Sequence, residues 1–204
     1  MMKRGLIIWG GWNGHTPERL ADRLKGLLEV EDYSIDSTSH FGALLDEDLP
    51  AYDVIVPIWS CGVRSKPYMR VLLECIGAGT GFASFHGGIN WFEDEEYYSM
   101  MGGSYIEDRR PVEFTVKISD QSSPITSEVE SFNLEDELYF VQIDPTCKVL
   151  CSTRFEGTEI PITWTKSHGD GRVFYTSLAH EYSNATSKEV TKLIVNGIKW
   201  ATRN

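Results

Sequence analysis

The sequence predicts one α/β domain built on a mostly parallel sheet with antiparallel additions, and three observations carry the prediction. Short apolar runs alternate with helix-spaced stretches through the first half, as in parallel strands covered by helices on both faces. The second half changes to period-two alternation, seen in Val112 to Ile118 (Val-Glu-Phe-Thr-Val-Lys-Ile), as expected of half-exposed strands. No Pro/Ser-rich linker, internal repeat or composition break interrupts the 204 residues, so residues 1–204 form a single domain with one sizeable core.

The elements follow in order. Leu6 to Trp9 is a first core strand, too brief an apolar run to cross a bilayer. Gly10-Gly11-Trp12-Asn13-Gly14-His15 leads to Thr16 as N-cap and Pro17 at the first helical position. Leu20, Leu24, Leu27 and Leu28 then fall at helical spacing. Tyr33–Ser37 and Asp53–Trp59 are the next strands, and Pro67 opens a helix towards Ile76 with Val71, Leu72 and Cys75 inward. After Gly77 and Gly79 comes Gly81-Phe82-Ala83-Ser84-Phe85-His86-Gly87-Gly88, a buried strand that breaks at a histidine into two glycines. In such a strand-turn-helix elbow the glycines allow a tight backbone, and the residue at the tip, His86, stands above the sheet and is presented to a cleft. Glu93-Asp94-Glu95-Glu96 reads as a solvated helix start, because acidic residues suit that end of the helix dipole. Further strands are Glu137–Gln142, Lys148–Phe155, Ile160–Thr165 and Arg172–Ser177, with Gly169-Asp170-Gly171 turning between the last two. A helix from Ser187 to Ala201 closes the chain.

With 19 basic against 30 acidic residues the net charge is −11, which repels phosphate backbones and anionic lipid surfaces. Neither nucleic acid nor a membrane is an expected partner. Cys61, Cys75, Cys147 and Cys151 form no second paired motif, so buried free thiols in a reducing, cytoplasmic setting are expected. The C-x3-C pair at 147 and 151 falls on one face if its strand is regular. No P-loop is present, and the first glycine-rich turn is not a dinucleotide fingerprint.

Read together, the ordered segments resemble the trehalose-utilisation ThuA-like family, a branch of the class I glutamine-amidotransferase-like fold. The resemblance rests on the His15 turn, the His86 elbow, Met101-Gly102-Gly103, Ser123-Pro124-Ile125-Thr126, Asp136-Glu137-Leu138-Tyr139, Pro161-Ile162-Thr163-Trp164 and Gly169 through His180. It implies a flavodoxin-like three-layer sandwich in which His86 takes the amidotransferase cysteine position, so glutaminase activity is not expected. It also implies a role in catabolism of trehalose or related disaccharides through 3-keto derivatives. Many relatives carry a His-Pro pair where this chain has Glu107-Asp108-Arg109-Arg110-Pro111. Arg109 or Arg110 in the pocket favours a more anionic ligand.

The chemistry falls to four residues. His86 is the first candidate base, Glu137 orients it or acts as partner acid, and His15 and His180 bind or polarise oxygens. Strand alternation puts Glu137 and Tyr139 on one face, with Asp136 and Leu138 on the other. Aromatic walls with a few convergent polar groups suit sugars, so Trp12, Tyr139 and Trp164, with Asn90 and Arg109, are the expected substrate contacts, and Trp91 is a further aromatic candidate. His15, His86, His180 and Glu137 are donors suited to a divalent ion, but they are dispersed and lack H-x-x-x-H spacing, so no metal and no required cofactor is expected. The expected partner is a small-molecule sugar, with homo-oligomerisation left open. The expected activity is that of a carbohydrate isomerase, lyase or hydrolase. The alternative is a noncatalytic sugar-binding or regulatory protein, and a residual amidotransferase would use Cys61.

Overall fold

A computed structural model describes residues 2–60, 62–63 and 65–204, without the side chain of Arg110. Cys61 lies outside the described residues, as does the Arg110 side chain. The first half comprises β1 (Lys3–Gly10), α1 (Pro17–Glu29), β2 (Tyr33–Thr38), β3 (Val54–Trp59), α2 (Lys66–Gly77), β4 (Gly81–Phe85) and α3 (Glu95–Met101). There follow β5 (Gly103–Ile118), β6 (Phe132–Ile143), β7 (Lys148–Phe155), β8 (Thr158–His168), β9 (Gly171–Thr176), the single turn α4 (Tyr182–Ala185) and α5 (Lys188–Ala201). Thr16 and Ser187 occupy the expected N-cap positions, but neither side chain caps its helix. Thr16 instead adopts a left-handed backbone with φ 47°, outside the extended conformation usual for an N-cap residue.

One nine-stranded sheet runs β2-β1-β3-β4-β9-β8-β7-β5-β6. The joins from β2 through β9 are parallel, and those from β9 through β6 are antiparallel. The sheet is therefore mixed in equal parts rather than mostly parallel. The departure arises because β5 and β6 are longer than the alternation suggested and pair with each other along most of their length. β9 is the seam, parallel to β4 on one side and hairpin-paired with β8 on the other.

Alternation along the central strands divides the core between two faces. On one, Ile7, Val54 and Val56 meet Leu20 and Leu24 of α1 with Leu193 and Ile198 of α5. On the other, Leu6, Ile8 and Ile55 meet Leu72 and Ile76 of α2 with Met100 of α3. Each fully buried aliphatic side chain contributes about 1.5–3 kcal/mol relative to exposure, so both helical layers are held by burial. No helix among the described residues is long and apolar enough to cross a membrane.

Two local expectations are corrected. Cys147 precedes β7 and packs on the α2/α3 face, whereas Cys151 is buried on the other, because register shifts around Cys151 break the alternation. Burial pushes the Cys151 thiol up to about 12 and that of Cys147 up to about 11. Trp164 is a core residue rather than a sugar wall. It is fully buried, its indole N–H donates to the Met101 carbonyl at 2.9 Å, and its ring meets Tyr175 at 4.5 Å. Trp91 is likewise fully buried.

Candidate active site

Four chain segments converge at the C-terminal ends of the parallel strands. Beyond β1, Gly11 (φ +83°) passes so close to the Ser60 carbonyl that a Cβ there would lie 2.0 Å from its oxygen. Only glycine lets this loop reach across β3 and deliver a one-turn 3-10 segment, Asn13–His15. β4 ends in the predicted elbow, with His86 at φ 46° opening the 3-10 segment His86–Asn90. A non-glycine residue in the left-handed region is strained, and here the surroundings fix it. Tyr175 donates to the His86 carbonyl at 2.8 Å, and Tyr97 donates to the Gly88 carbonyl at 2.6 Å.

β6 supplies Glu137 and Tyr139 on one face, as alternation predicts, with Leu138 in the opposite core. Asp136 has a task the sequence did not reveal. Its buried carboxylate accepts from the Ala179 amide at 3.0 Å and the Glu137 amide at 2.9 Å. It thus holds Ala179, itself at φ 82°, and through it the His180 backbone. Burial raises the Asp136 pKa, and those amide bonds oppose the rise.

The side chains form one cluster. His180 Nδ1 lies 3.0 Å from Glu137 Oε2, 3.0 Å from His86 Nε2 and 3.2 Å from His15 Nε2. His86 Nε2 also stands 3.3 Å from Glu137 Oε2 and 3.1 Å from the Tyr139 hydroxyl. The Glu137 hydrogen bond raises the His180 pKa above the ordinary imidazole value against the opposing effect of burial. Burial, reinforced by the Glu137 charge, raises the Tyr139 phenol.

Above the cluster opens a cleft of about 400 Å³, bordered by Trp12, Asn90, Tyr105, Asp108, Glu137 and Tyr139 among others. Trp12 is half exposed and sets its ring edge-on to His15 at 4.7 Å. His86, expected to present itself to the cleft, lies beneath it at 3% exposure, and Glu137, Tyr139, His15 and His180 border the open space.

Arg109 is not in the cleft. It pairs with Glu107 at 3.0 Å and lies over the Phe140 ring. The cause is register: Asp108 pairs with Tyr139 and Arg109 with Leu138, so Arg109 falls on the opposite face and Asp108 borders the cleft. Tyr105, whose hydroxyl donates to Asp108 at 2.5 Å, was also missed. An aromatic residue and an acid three positions apart, at 105 and 108, were the available signal. The acidic run does open α3, as expected, and Asp94 caps it, accepting from the Glu96 amide at 3.0 Å, while Glu93 borders the cleft. Among the described lining residues the charged groups are Glu93, Asp108 and Glu137, with no Lys or Arg, a balance that favours neutral or cationic ligands. Arg109→Ala is expected to leave affinity for a sugar ligand unchanged and stability within about 0.5 kcal/mol. Calorimetric titration and a urea melt check both.

The family profile for trehalose utilisation, ThuA, matches residues 4–201. The chain belongs to the ThuA family. Family membership links this ThuA protein to carbohydrate metabolism. No curated protein matches its sequence significantly. Among solved structures it is similar to a ThuA-like protein from Bacteroides uniformis, with 19% identity over 98% of this chain and 91% of that one, at a TM-score of 0.82. A ThuA-like protein from Parabacteroides merdae is similar at 18% identity over 98% of this chain and 90% of that one, with a TM-score of 0.78. A Salmonella typhimurium protein described as cytoplasmic shares 12% identity over 98% of this chain and 100% of that one, with a TM-score of 0.71. At these identities the likeness concerns the fold.

Proposed function

We propose that this ThuA protein catalyses proton transfer on a keto sugar, a 3-keto derivative of trehalose or a related disaccharide, leading to isomerisation, epimerisation or elimination. The observation that carries the reading is the buried Glu137 carboxylate, flanked by His86 and His180 and bordering an open, aromatic-edged cleft. The β2-β1-β3-β4 strand order supports a flavodoxin-like reading of the layers, in which ligands bind at the C-terminal ends of the parallel strands.

In this reading the parts are divided differently from the expectation drawn from sequence alone. Glu137, which borders the cleft, is the base, and His86 beneath it is a positioning residue. A carbonyl acidifies the neighbouring C–H, whose proton passes to a Glu137 oxygen. The C–H electron pair becomes the C=C bond of an enediolate, while the carbonyl π pair moves to its oxygen. The Tyr139 hydroxyl and the His180 imidazole stabilise that oxygen. Returning the proton to the other face of the same carbon gives the epimer. Protonation of the former carbonyl carbon instead gives the isomer, the neighbouring hydroxyl becoming the new carbonyl as its proton passes to the former carbonyl oxygen. Expulsion of an oxygen substituent one carbon further on, protonated as it leaves, gives elimination. Trp12 and Tyr105 offer apolar faces to the ring, while Asn90 and Asp108 offer hydrogen bonds to hydroxyls.

The test is a proton-NMR time course with 3-ketotrehalose and 3-ketoglucose in deuterium oxide, run with and without added divalent metal. Wild type is expected to incorporate deuterium next to the carbonyl or to form a new product. Binding without exchange or product under either condition would instead support the noncatalytic sugar-binding reading.

A further inference from the structure

We propose that His15, His86 and His180 hold one divalent transition-metal ion at the base of the cleft, with Glu137 beside it. This rests on the reading of the cluster as the reacting centre and adds a cofactor to it. Histidines separated by up to 165 positions, with no motif spacing, bring one ring nitrogen each within 4.8 Å of the others. Two of those separations are 3.0 and 3.2 Å. Ligands bonded at roughly 2.0–2.1 Å stand about 3.3 Å apart on a tetrahedron and about 2.9 Å apart on an octahedron, so the two pairs that share His180 Nδ1 have the spacing of neighbouring vertices, while the His15–His86 pair, within 4.8 Å, closes as the ion binds.

Ring orientation supports the assignment independently. His86 Nδ1 faces the Ser177 carbonyl at 3.4 Å, a contact that requires the proton on Nδ1 and leaves the Nε2 lone pair inward. His180 turns its Nδ1 inward, and its Nε2 faces a Glu181 carboxylate oxygen at 3.6 Å, an ion-pair distance rather than a hydrogen bond. Outer carbonyls and carboxylates that fix the inward nitrogen are the usual support of a metal-binding imidazole.

Proton counting leads to the same place. His180 Nδ1 is surrounded by His86 Nε2, His15 Nε2 and Glu137 Oε2, all within 3.2 Å. One proton on Nδ1 can point well at only one of the three. A single cation satisfies several lone pairs at once, and the acidic lining of Glu93, Asp108 and Glu137 favours its entry. The nitrogen-rich donor set suits zinc, cobalt or nickel better than magnesium or calcium. When bound, such an ion supplies Lewis-acid polarisation of a substrate oxygen, which would reinforce proton abstraction by Glu137.

The experiment titrates chelator-treated, dialysed full-length protein with Co²⁺, read by its visible d–d absorption, and with Zn²⁺, read by calorimetry. Wild type is expected to bind one ion per chain. His15→Gln and His180→Gln, both at partly buried positions, are expected to weaken binding more than about a hundredfold, beyond what loss of an orienting neighbour costs. Circular dichroism checks that both variants are folded, and Glu137→Gln is expected to retain the ion. Absence of stoichiometric binding by wild type, or equal binding by folded histidine variants, overturns the site. Full-rate deuterium exchange by ion-free protein would overturn the ion's part as a cofactor while leaving the proton-transfer reading intact. Stoichiometric, histidine-dependent binding without exchange on either keto sugar would uphold the ion site and defeat that reading.

Discussion

Glu137→Gln is expected to slow deuterium exchange into the keto sugar by about 10²- to 10⁴-fold, the usual contribution of a positioned general base. Glutamine nearly preserves the volume and retains an oxygen acceptor towards His180, but it cannot take the substrate proton. The fold should survive, because the backbone of this β6 segment is fixed by its ladder to β5 and by Asp136. The decisive comparison is kcat against the thermal midpoint. A large fall in kcat with an unchanged melt supports the base assignment, whereas an unchanged rate removes Glu137 from the chemistry. His86→Asn is an informative companion because asparagine tolerates the left-handed backbone at φ 46°. It keeps the elbow but removes the ring that contacts Glu137 and Tyr139.

Trp164→Ala is expected to destabilise the protein by about 3–5 kcal/mol, the range for deleting a buried aromatic side chain. The loss combines the transfer energy of the indole, the cavity against Tyr175 and an unsatisfied Met101 carbonyl. Urea denaturation measures it through a lower midpoint. Trp164→Phe should recover part of the loss by refilling the cavity, but not the hydrogen bond. A stable Trp164→Ala protein that had lost only sugar affinity would reverse this account and restore Trp164 to the cleft wall.

Much of the fold was legible because local chemistry and packing agree. The apolar strands and leucine spacing before residue 90 correspond to β1 through β4 and their helices. The elbow was legible for the same reason: a buried run ending at His-Gly-Gly leaves few backbone options. The balance of the sheet was less accessible, since the β5/β6 pairing depends on strand length and bulges rather than on local composition. In the candidate site, Glu137 and Tyr139 followed from alternation, but Arg109 did not, because register shifts within β5 decide which face each residue takes. Trp164 shows a further limit, since an indole carries the same sequence signal whether its N–H meets a ligand or a backbone carbonyl. The meeting of His15, His86 and His180 is a property of closure across the sheet, and no spacing along the chain encodes it.

The position of β9 has a consequence for how the chain comes into being. During synthesis, β4 and β8 emerge before the strand that separates them, so each has one ladder edge unpaired until residues 171–176 arrive. Unpaired edges are templates for association with other chains, and long-range pairing is slow. Early folding intermediates should therefore be more aggregation-prone than the finished protein. The last strand both completes the sheet and carries His180 into place, so functional maturation and protection of those edges are the same event.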